Sequence, residues 1–279
     1  MIQEDRLYRA VVDALAEDRL VLPTLPEVAM RVGQICGDPN ASASRIAVEV
    51  SRDPAIAVRL LRVANSSALR GAKRIDSVPQ AVARLGLGLL RSLVTGLALE
   101  QLFIAKSPSL RERLRRSWTH SLEVAALAQV LASHCTMLRP ELAMLGGLVH
   151  EIGSLPVLRM AESLSDPPPE AKAVDAVMRK LQPRVGPMIL KAWNFPEELI
   201  DVPAMWMDFG RSHDGPPDYV DVVTVAALQS HEGRSGRFAA IDRSRTPAFL
   251  KLDLSPEVDV FELEGVQESY EQNLAAIAA

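Results

Sequence analysis

Aromatic residues, cysteine and net positive charge are all scarce in this 279-residue chain. Phe, Trp and Tyr make up 4% of the sequence, which leaves few rings on which single-stranded nucleic acid could stack. The formal net charge is −4, whereas a nucleic-acid-binding domain carries a basic surface. Cys36 and Cys135 are the only cysteines, too few for a disulfide framework or a zinc cluster. These scarcities argue against nucleic-acid binding and favour a reducing compartment.

The sequence also lacks the patterns of secreted and membrane proteins. Its first six residues include Glu4, Asp5 and Arg6, charged residues where a signal peptide would need an apolar stretch. No apolar run approaches the ~18 residues of a membrane span. The hydrophobic share of 48% is enough for a sizeable core. We therefore predict a soluble, cytoplasmic protein that does not bind membranes.

Helical periodicity dominates the chain, and the alternation typical of strands is rare. Leu7, Val11, Ala14 and Leu15 lie at the spacing of one helix face, and similar stripes follow along most of the sequence. The pattern predicts an all-α protein.

Three helix starts are indicated by capping chemistry. Ser42 precedes one apolar stripe, and Asp53 precedes Pro54, a residue that suits the first turn of a helix. Ser77 and Gln80 have the spacing of a capping box. We expect the helix after Ser77 to end near Gly86 and a longer helix to run from position 89 to about 105.

The chain divides into three predicted parts. A linker at 106–108 separates an N-terminal helical bundle, 1–106, from a second helical lobe, 107–250. The remainder, 251–279, is an acidic extension, since 253–271 contains seven acidic residues and no basic one. This extension is expected to form either a terminal helix or a mobile tail.

Three residues could bind a metal ion. His150 and Glu151 adjoin at the end of a predicted helix, and both can ligate one ion if the backbone bends there. His120 lies on the apolar face of the preceding predicted helix and would be a third ligand. The alternative is that both histidines are core residues with satisfied hydrogen bonds.

A basic run offers a second candidate site. Arg111, Arg113, Arg115 and Arg116 could bind an anionic ligand, because guanidinium groups match phosphate oxygens. Glu112 interrupts the run, and such a segment is also typical of a solvated helix face.

Several motifs, in order, resemble the HDOD family, the HD-related output domains of bacterial signalling proteins. The similarity runs from about Leu22 to Ala227. The stretches that carry it are Leu22–Ala29, Ile46–Ile56, Leu60–Ser66, Ser77–Gly86, Trp118–Ser121 and Gly146–Gly153.

The resemblance implies an all-helical fold in which an N-terminal bundle packs on a lobe related to HD phosphohydrolases. In the catalytic relatives, His and Asp residues bind divalent metals that activate water. By position, His120 and His150 match two metal-ligand histidines, and Glu151 replaces an Asp. The later ligand positions fall near Gln182, Met205–Met207 and Ala227, whose side chains cannot supply a hard anionic ligand.

Two histidines and one carboxylate are too few for a two-metal centre. We therefore predict vestigial ligand positions, no cofactor and no catalysis. The expected function is a signalling or scaffold module that contacts other proteins, with the resemblance pointing to cyclic di-GMP enzymes or two-component proteins. The alternatives are a metal-dependent phosphohydrolase with an unusual ligand set and a nucleotide-sensing regulatory domain.

Overall fold

The computed structural model describes residues 2–38, 40, 42–66, 69, 73–104, 108–164 and 169–278. Every regular element in these residues is helical, which confirms the predicted all-α class. The first helices are α1 (Ile2–Ala16), α2 (Glu27–Cys36), α3 (Ala43–Ser51), α4 (Pro54–Ala64) and α5 (Val78–Leu99). The others are α6 (Pro108–Cys135), α7 (Pro140–Val149), α8 (Ser154–Leu164), α9 (Ala171–Ala192), α10 (Val202–Met205), α11 (Tyr219–Gln229), α12 (His231–Arg234), α13 (Pro247–Lys251) and α14 (Val266–Ile277). Short 3-10 turns occupy Glu100–Phe103, Glu197–Leu199, Arg243–Arg245 and Val260–Glu262.

Side-chain caps begin α3 and α4, as predicted. Ser42 Oγ accepts a hydrogen bond from the backbone N–H of Arg45 at 3.3 Å. Asp53 Oδ1 accepts from Ala55 N at 3.0 Å and from Ile56 N at 3.1 Å. Each cap satisfies backbone donors that the first turn of a helix leaves without intrahelical partners.

The capping box predicted at Ser77 is wrong. Ser77 precedes α5 but makes no side-chain cap, and Gln80 Oε1 accepts from Asp76 N at 3.1 Å instead. The expected break near Gly86 is present, because this residue has φ 71° and ψ 168° inside α5. Only glycine readily adopts that backbone conformation, so α5 consists of two helical segments joined at Gly86.

The helices form two packed groups. We call α2–α5 the N-terminal bundle and α6–α11 the C-terminal lobe. Helices α2, α3 and α4 pack on α5, and α5 in turn packs on α7 of the lobe. Helix α1 lies against α8 and α9 of the lobe, although the bundle follows it in sequence. The division at residues 106 and 250 stays a prediction.

The acidic C-terminal extension contains α14. Of the two expected alternatives, a terminal helix and a mobile tail, the structure shows the helix. It packs mainly against α6 and also touches α4 and α5. Val266, Ala276 and Ile277 are its buried residues. The extension is therefore part of the core rather than a separate tail.

Helices α6 and α7 pack closely because one residue at their contact has no side chain. A Cβ atom on Gly147 would lie 2.5 Å from the Cα of Ala125. No carbon atom fits at that distance, so this crossing requires glycine. The close contact brings the C-terminal end of α7 next to the middle of α6.

Two segments are long and apolar enough to cross a membrane by composition, contrary to the sequence-based expectation. They are Val78–Phe103 and Pro140–Leu164. Their most apolar windows are 56% and 94% buried within the protein. Both segments contain a break, at Gly86 and at 150–153, and both act here as core helices.

Candidate functional site

The structure brings the three predicted metal-site residues together. His120 comes from α6, and His150 and Glu151 directly follow the last residue of α7. Their relative exposures are 4%, 0% and 2%. The two imidazole centroids are 5.1 Å apart and the rings meet edge to face. One ligand atom from each residue lies within 4.8 Å of the others, so the three side chains form one cluster.

Two hydrogen bonds that end on backbone carbonyls hold His150 in place. Its Nδ1 donates to the carbonyl of Gly147 at 2.6 Å, and its own carbonyl accepts from Gln182 Nε2 at 3.0 Å. Because Nδ1 is the donor, Nε2 of the neutral ring is left with its lone pair. This Nε2 is buried and has no hydrogen-bond partner among the described residues.

His120 has no hydrogen bond at either ring nitrogen within the described part of the chain. Its nearest ring neighbours are His150 and Phe238, whose centroid lies 6.5 Å away. The interpretation of His120 as a core histidine with satisfied hydrogen bonds is therefore wrong. Buried polar atoms without partners are rare in folded proteins and often mark functional positions.

Glu151 accepts hydrogen bonds at both carboxylate oxygens. Ser117 Oγ donates to Oε2 at 2.9 Å, and Arg237 donates to Oε1. The guanidinium of Arg237 also lies 4.6 Å from the centroid of the adjacent Phe238. Sequence reasoning missed Arg237, because it lies 86 residues beyond Glu151 and belongs to no recognisable motif.

Aromatic side chains close the cluster. The Trp206 ring meets His150 edge to face at 4.6 Å and Phe238 at 5.5 Å. Trp206 is fully buried, and its Nε1 has no hydrogen-bond partner within the described ranges. The imidazoles thus face an apolar wall at a position where the family resemblance implied metal ligands.

Burial dominates the electrostatics of the two histidines. It lowers the pKa of His120 to about 3 and also lowers the pKa of His150 below its usual value. Burial is the largest single influence on Glu151 and raises its pKa, but the Arg237 guanidinium and the two neighbouring histidines together outweigh it, and the pKa of Glu151 lies below its usual range. At neutral pH the cluster therefore contains two neutral imidazoles and one carboxylate paired with arginine.

These residues do not fit a two-metal centre. The three donor groups would suffice for one ion at most, since a catalytic zinc needs three protein ligands. Gln182 and Trp206 lie where the family resemblance implied later ligands, and here Gln182 donates to a backbone carbonyl and Trp206 packs on His150. For a single ion bound to Glu151, the neighbouring Arg237 would be unfavourable, because a guanidinium and a divalent cation repel one another.

The four arginines of the basic run do not converge on one site. Arg115 and Arg116 are exposed and pair with Glu112, at 2.7 and 3.7 Å. Arg113 pairs with Asp175 and donates to the carbonyl of Ala171 at 3.1 Å, which joins α6 to α9. Arg111 is also exposed. The segment therefore has the features of a solvated helix face with one structural arginine.

A second cluster was not recognised from the sequence. His213 contacts the buried Asp221 through Nε2 at 2.8 Å. Arg211 contacts the other oxygen of Asp221 at 3.0 Å, and Asp218 forms a capping box with Asp221 at the start of α11. The Asp218–Asp221 spacing before an apolar run was the available signal. These hydrogen bonds make the cluster a cap for the N-terminal end of α11.

Known proteins resemble this chain over most of its length. A family profile described as HDOD domain matches residues 22–207. A crystal structure of a proposed metal-dependent phosphohydrolase from Shewanella amazonensis SB2B is 32% identical, with a TM-score of 0.85, and the match covers 99% of this chain and all of that one. A proposed signal transduction protein from Marinobacter aquaeolei VT8 is 22% identical, with a TM-score of 0.64, over 95% of this chain and 61% of that one.

One curated relative is longer than this chain. It is an uncharacterized protein from Treponema pallidum (strain Nichols), 19% identical over 235 residues. The match covers 81% of this chain but only 44% of the relative, so the chain spans less than half of that protein's length.

Proposed function

This chain belongs to the HDOD domain family, and we propose that it is a non-catalytic signalling module that acts through contacts with other proteins. The partners are signalling proteins of the bacterial cytoplasm, either enzymes that make or degrade cyclic di-GMP or two-component proteins. The Marinobacter protein that resembles this chain is named a signal transduction protein, and this name supports the proposed class of function.

The observation that carries the proposal is the bonding of Glu151. Both of its oxygens accept hydrogen bonds from protein groups, and one of the donors is the cationic Arg237. Arg237 already compensates the charge of this carboxylate, and its own charge opposes the approach of a cation. The charge of Glu151 is therefore compensated by a protein group and does not need an ion.

Metal analysis combined with turnover tests the proposal. The full chain is purified, its bound metals are quantified, and hydrolysis of bis-p-nitrophenyl phosphate and cyclic di-GMP is measured with added Mn²⁺. We expect metal far below one ion per chain and no turnover above the rate without protein. Bound metal in stoichiometric amount, with turnover that His150→Ala abolishes, would contradict the proposal.

The protein contacts need their own test. The chain is used as bait in affinity purification from the native host, and the co-purifying proteins are identified. We expect a protein with a cyclase, phosphodiesterase or receiver domain, and reconstitution of that complex from purified components. If the chain recovers no such protein and hydrolyses phosphodiesters, the proposal is wrong and the protein is an enzyme.

The second candidate is a phosphohydrolase that uses one metal ion. It is favoured by the buried nitrogens of His120 and His150 that lack partners, and by the Shewanella relative, which is named for metal-dependent phosphohydrolysis. It predicts that Arg237→Gln, which removes the competing charge, increases metal binding. An unchanged metal content in this variant counts against it.

A further inference from the structure

A cavity of about 110 Å³ lies where the N-terminal bundle meets the C-terminal lobe. Helices α2 and α5 of the bundle form one side, and α7 with the segment that follows α9 forms the other. Its lining mixes apolar and polar side chains, among them Leu25, Gln34, Arg91, Thr95, Trp193 and Phe195. This cavity is separate from the histidine cluster, and the sequence analysis did not single out any of these residues.

Arg91 is the unusual member of the lining. It is half-buried, yet among the described residues no carboxylate forms an ion pair with it and no group forms a hydrogen bond to it. Burial lowers the pKa of its guanidinium. Glu198, the acidic residue that influences Arg91, is paired with Arg139 at 3.1 Å. Arg91 therefore brings an uncompensated positive charge to the cavity.

An unpaired charge that is partly removed from water costs stability, and a bound anion would offset that cost. A guanidinium matches the oxygens of a phosphate or carboxylate group, and such hydrogen bonds are stronger where water is excluded. Gln34 and Thr95 add polar side chains to the lining. The polar part of the cavity is thus suited to an oxyanion.

The apolar part of the cavity includes two rings in a fixed position. Trp193 and Phe195 have centroids 5.8 Å apart. The Trp193 ring is held by a hydrogen bond from Nε1 to the carbonyl of Pro23 at 2.9 Å. We propose that the cavity binds a small organic anion, whose phosphate or carboxylate group bonds to Arg91 and whose apolar part contacts these rings.

The volume limits the size of the ligand. A cavity of about 150 Å³ holds one benzene molecule, and pockets for drug-sized ligands have about 300–1,000 Å³. The cavity between the two lobes therefore suits one small anion and is too small for a whole cyclic dinucleotide. Because both lobes line the cavity, a bound anion would stabilise their packing against one another.

Gly33 provides a way to fill the cavity without disturbing the fold. A Cβ atom on Gly33 would have Arg91 Nε as its nearest neighbour, at 3.9 Å, an ordinary contact. Gly33→Leu places a larger side chain beside the guanidinium, whereas Gly33→Ala is the matched control. Arg91→Met removes the charge and keeps the apolar stem, and Arg116→Met removes an exposed arginine as its control.

Binding is measured by calorimetry and thermal shift on the full chain, with methyl phosphate and propionate as probes and sodium chloride at equal ionic strength as reference. The two probes distinguish a phosphate from a carboxylate preference. We expect at least one to bind the wild type, Gly33→Ala and Arg116→Met equally. Arg91→Met and Gly33→Leu should weaken binding about tenfold or more. His150→Ala should bind as the wild type does, since the histidine cluster is elsewhere.

Ligand-free Arg91→Met should melt no lower than the wild type, because the removed charge has no partner in the fold. A lower melting temperature would show a structural role for Arg91 and overturn the proposal. The proposal would also be overturned if the wild type bound neither probe, or if the Arg91→Met variant bound the probes as the wild type does. If Arg91→Met does not fold, undiminished binding by Gly33→Leu overturns the proposal by itself.

Discussion

Arg237 donates a hydrogen bond to the buried carboxylate of Glu151 from a position 86 residues further along the chain. It supplies the positive charge that a divalent cation supplies to a carboxylate in a metal centre. Glu151 therefore stays ionised without a metal, although its exposure is only 2%. This pair distinguishes the cluster from a metal site that merely lacks some ligands.

Removal of Arg237 should destabilise the protein, because Glu151 would remain as a buried charge without its cationic partner. Breaking a buried ion pair costs about 3–5 kcal/mol, and we expect about 2–3 kcal/mol for Arg237→Ala. The lower figure allows for water, which reaches the 43% exposed side chain of Arg237. Urea unfolding measures the loss.

Two further variants check this prediction. Arg115→Ala breaks an exposed pair with Glu112 and should leave the free energy of unfolding almost unchanged. The double variant Glu151→Gln/Arg237→Met removes both charges and should recover part of the stability. An Arg237→Ala variant as stable as the wild type would show that the pair contributes little.

Acid should destabilise the protein through the buried histidines. The folded pKa of His120 is about 3, below the ordinary value of 6.5, so the unfolded chain binds a proton first as the pH falls. The stability is complete above pH 6.5 and decreases toward pH 3, by at most about 1.4 kcal/mol per pH unit for each such histidine. The lowered pKa values of His150 and Glu151 act in the same direction.

Unfolding measured across this pH range checks the contribution of His120. His120→Gln should reduce the slope of stability against pH, and His231→Gln, at an exposed histidine, should not. The slope of stability against pH is the relevant quantity, since a difference in stability that is the same at every pH reflects packing alone. Parallel curves for the wild type and His120→Gln would mean that His120 is protonated equally in both states.

Asp53→Ala should lower the free energy of unfolding by about 1 kcal/mol, the usual cost of a lost helix cap. The carboxylate of Asp53 accepts from two backbone N–H groups at the start of α4. Ser77→Ala is the matched control, because Ser77 precedes α5 but makes no side-chain cap. Equal losses in the two variants would contradict the assignment.

Gly147→Ala should destabilise the protein by about 1–3 kcal/mol or more, because the new methyl group would overlap the backbone of α6 at Ala125. Gly33→Ala also introduces a methyl group into a helix, but with nothing closer than 3.9 Å. That control should be neutral or stabilising, since alanine favours a helix over glycine. A destabilised control with a stable Gly147→Ala would refute the packing argument.

Local sequence determined which segments are helices and where some of them begin. Asp53 before Pro54 was enough to locate the start of α4, because a cap involves only the next three residues. The same reasoning gave a wrong cap at Ser77 and overlooked Asp218 with Asp221, where local spacing admits more than one hydrogen-bond pattern. The grouping of His120, His150 and Glu151 was predicted from the adjacency of His150 and Glu151 and from the position of His120 on an apolar helix face, and the family resemblance pointed to the same residues.

Tertiary structure alone decided how charges are paired in the histidine cluster and in the cavity between the two lobes. Glu151 is paired because folding brings Arg237 beside it, whereas Arg91 has no ion pair among the described residues and Glu198 pairs with Arg139. Neither outcome follows from sequence spacing, since rules based on helical periodicity extend over one or two turns. Contacts between residues tens of positions apart depend on how whole helices pack, and in this protein the packing at Gly147 and between the two lobes places the residues of the histidine cluster and of the cavity.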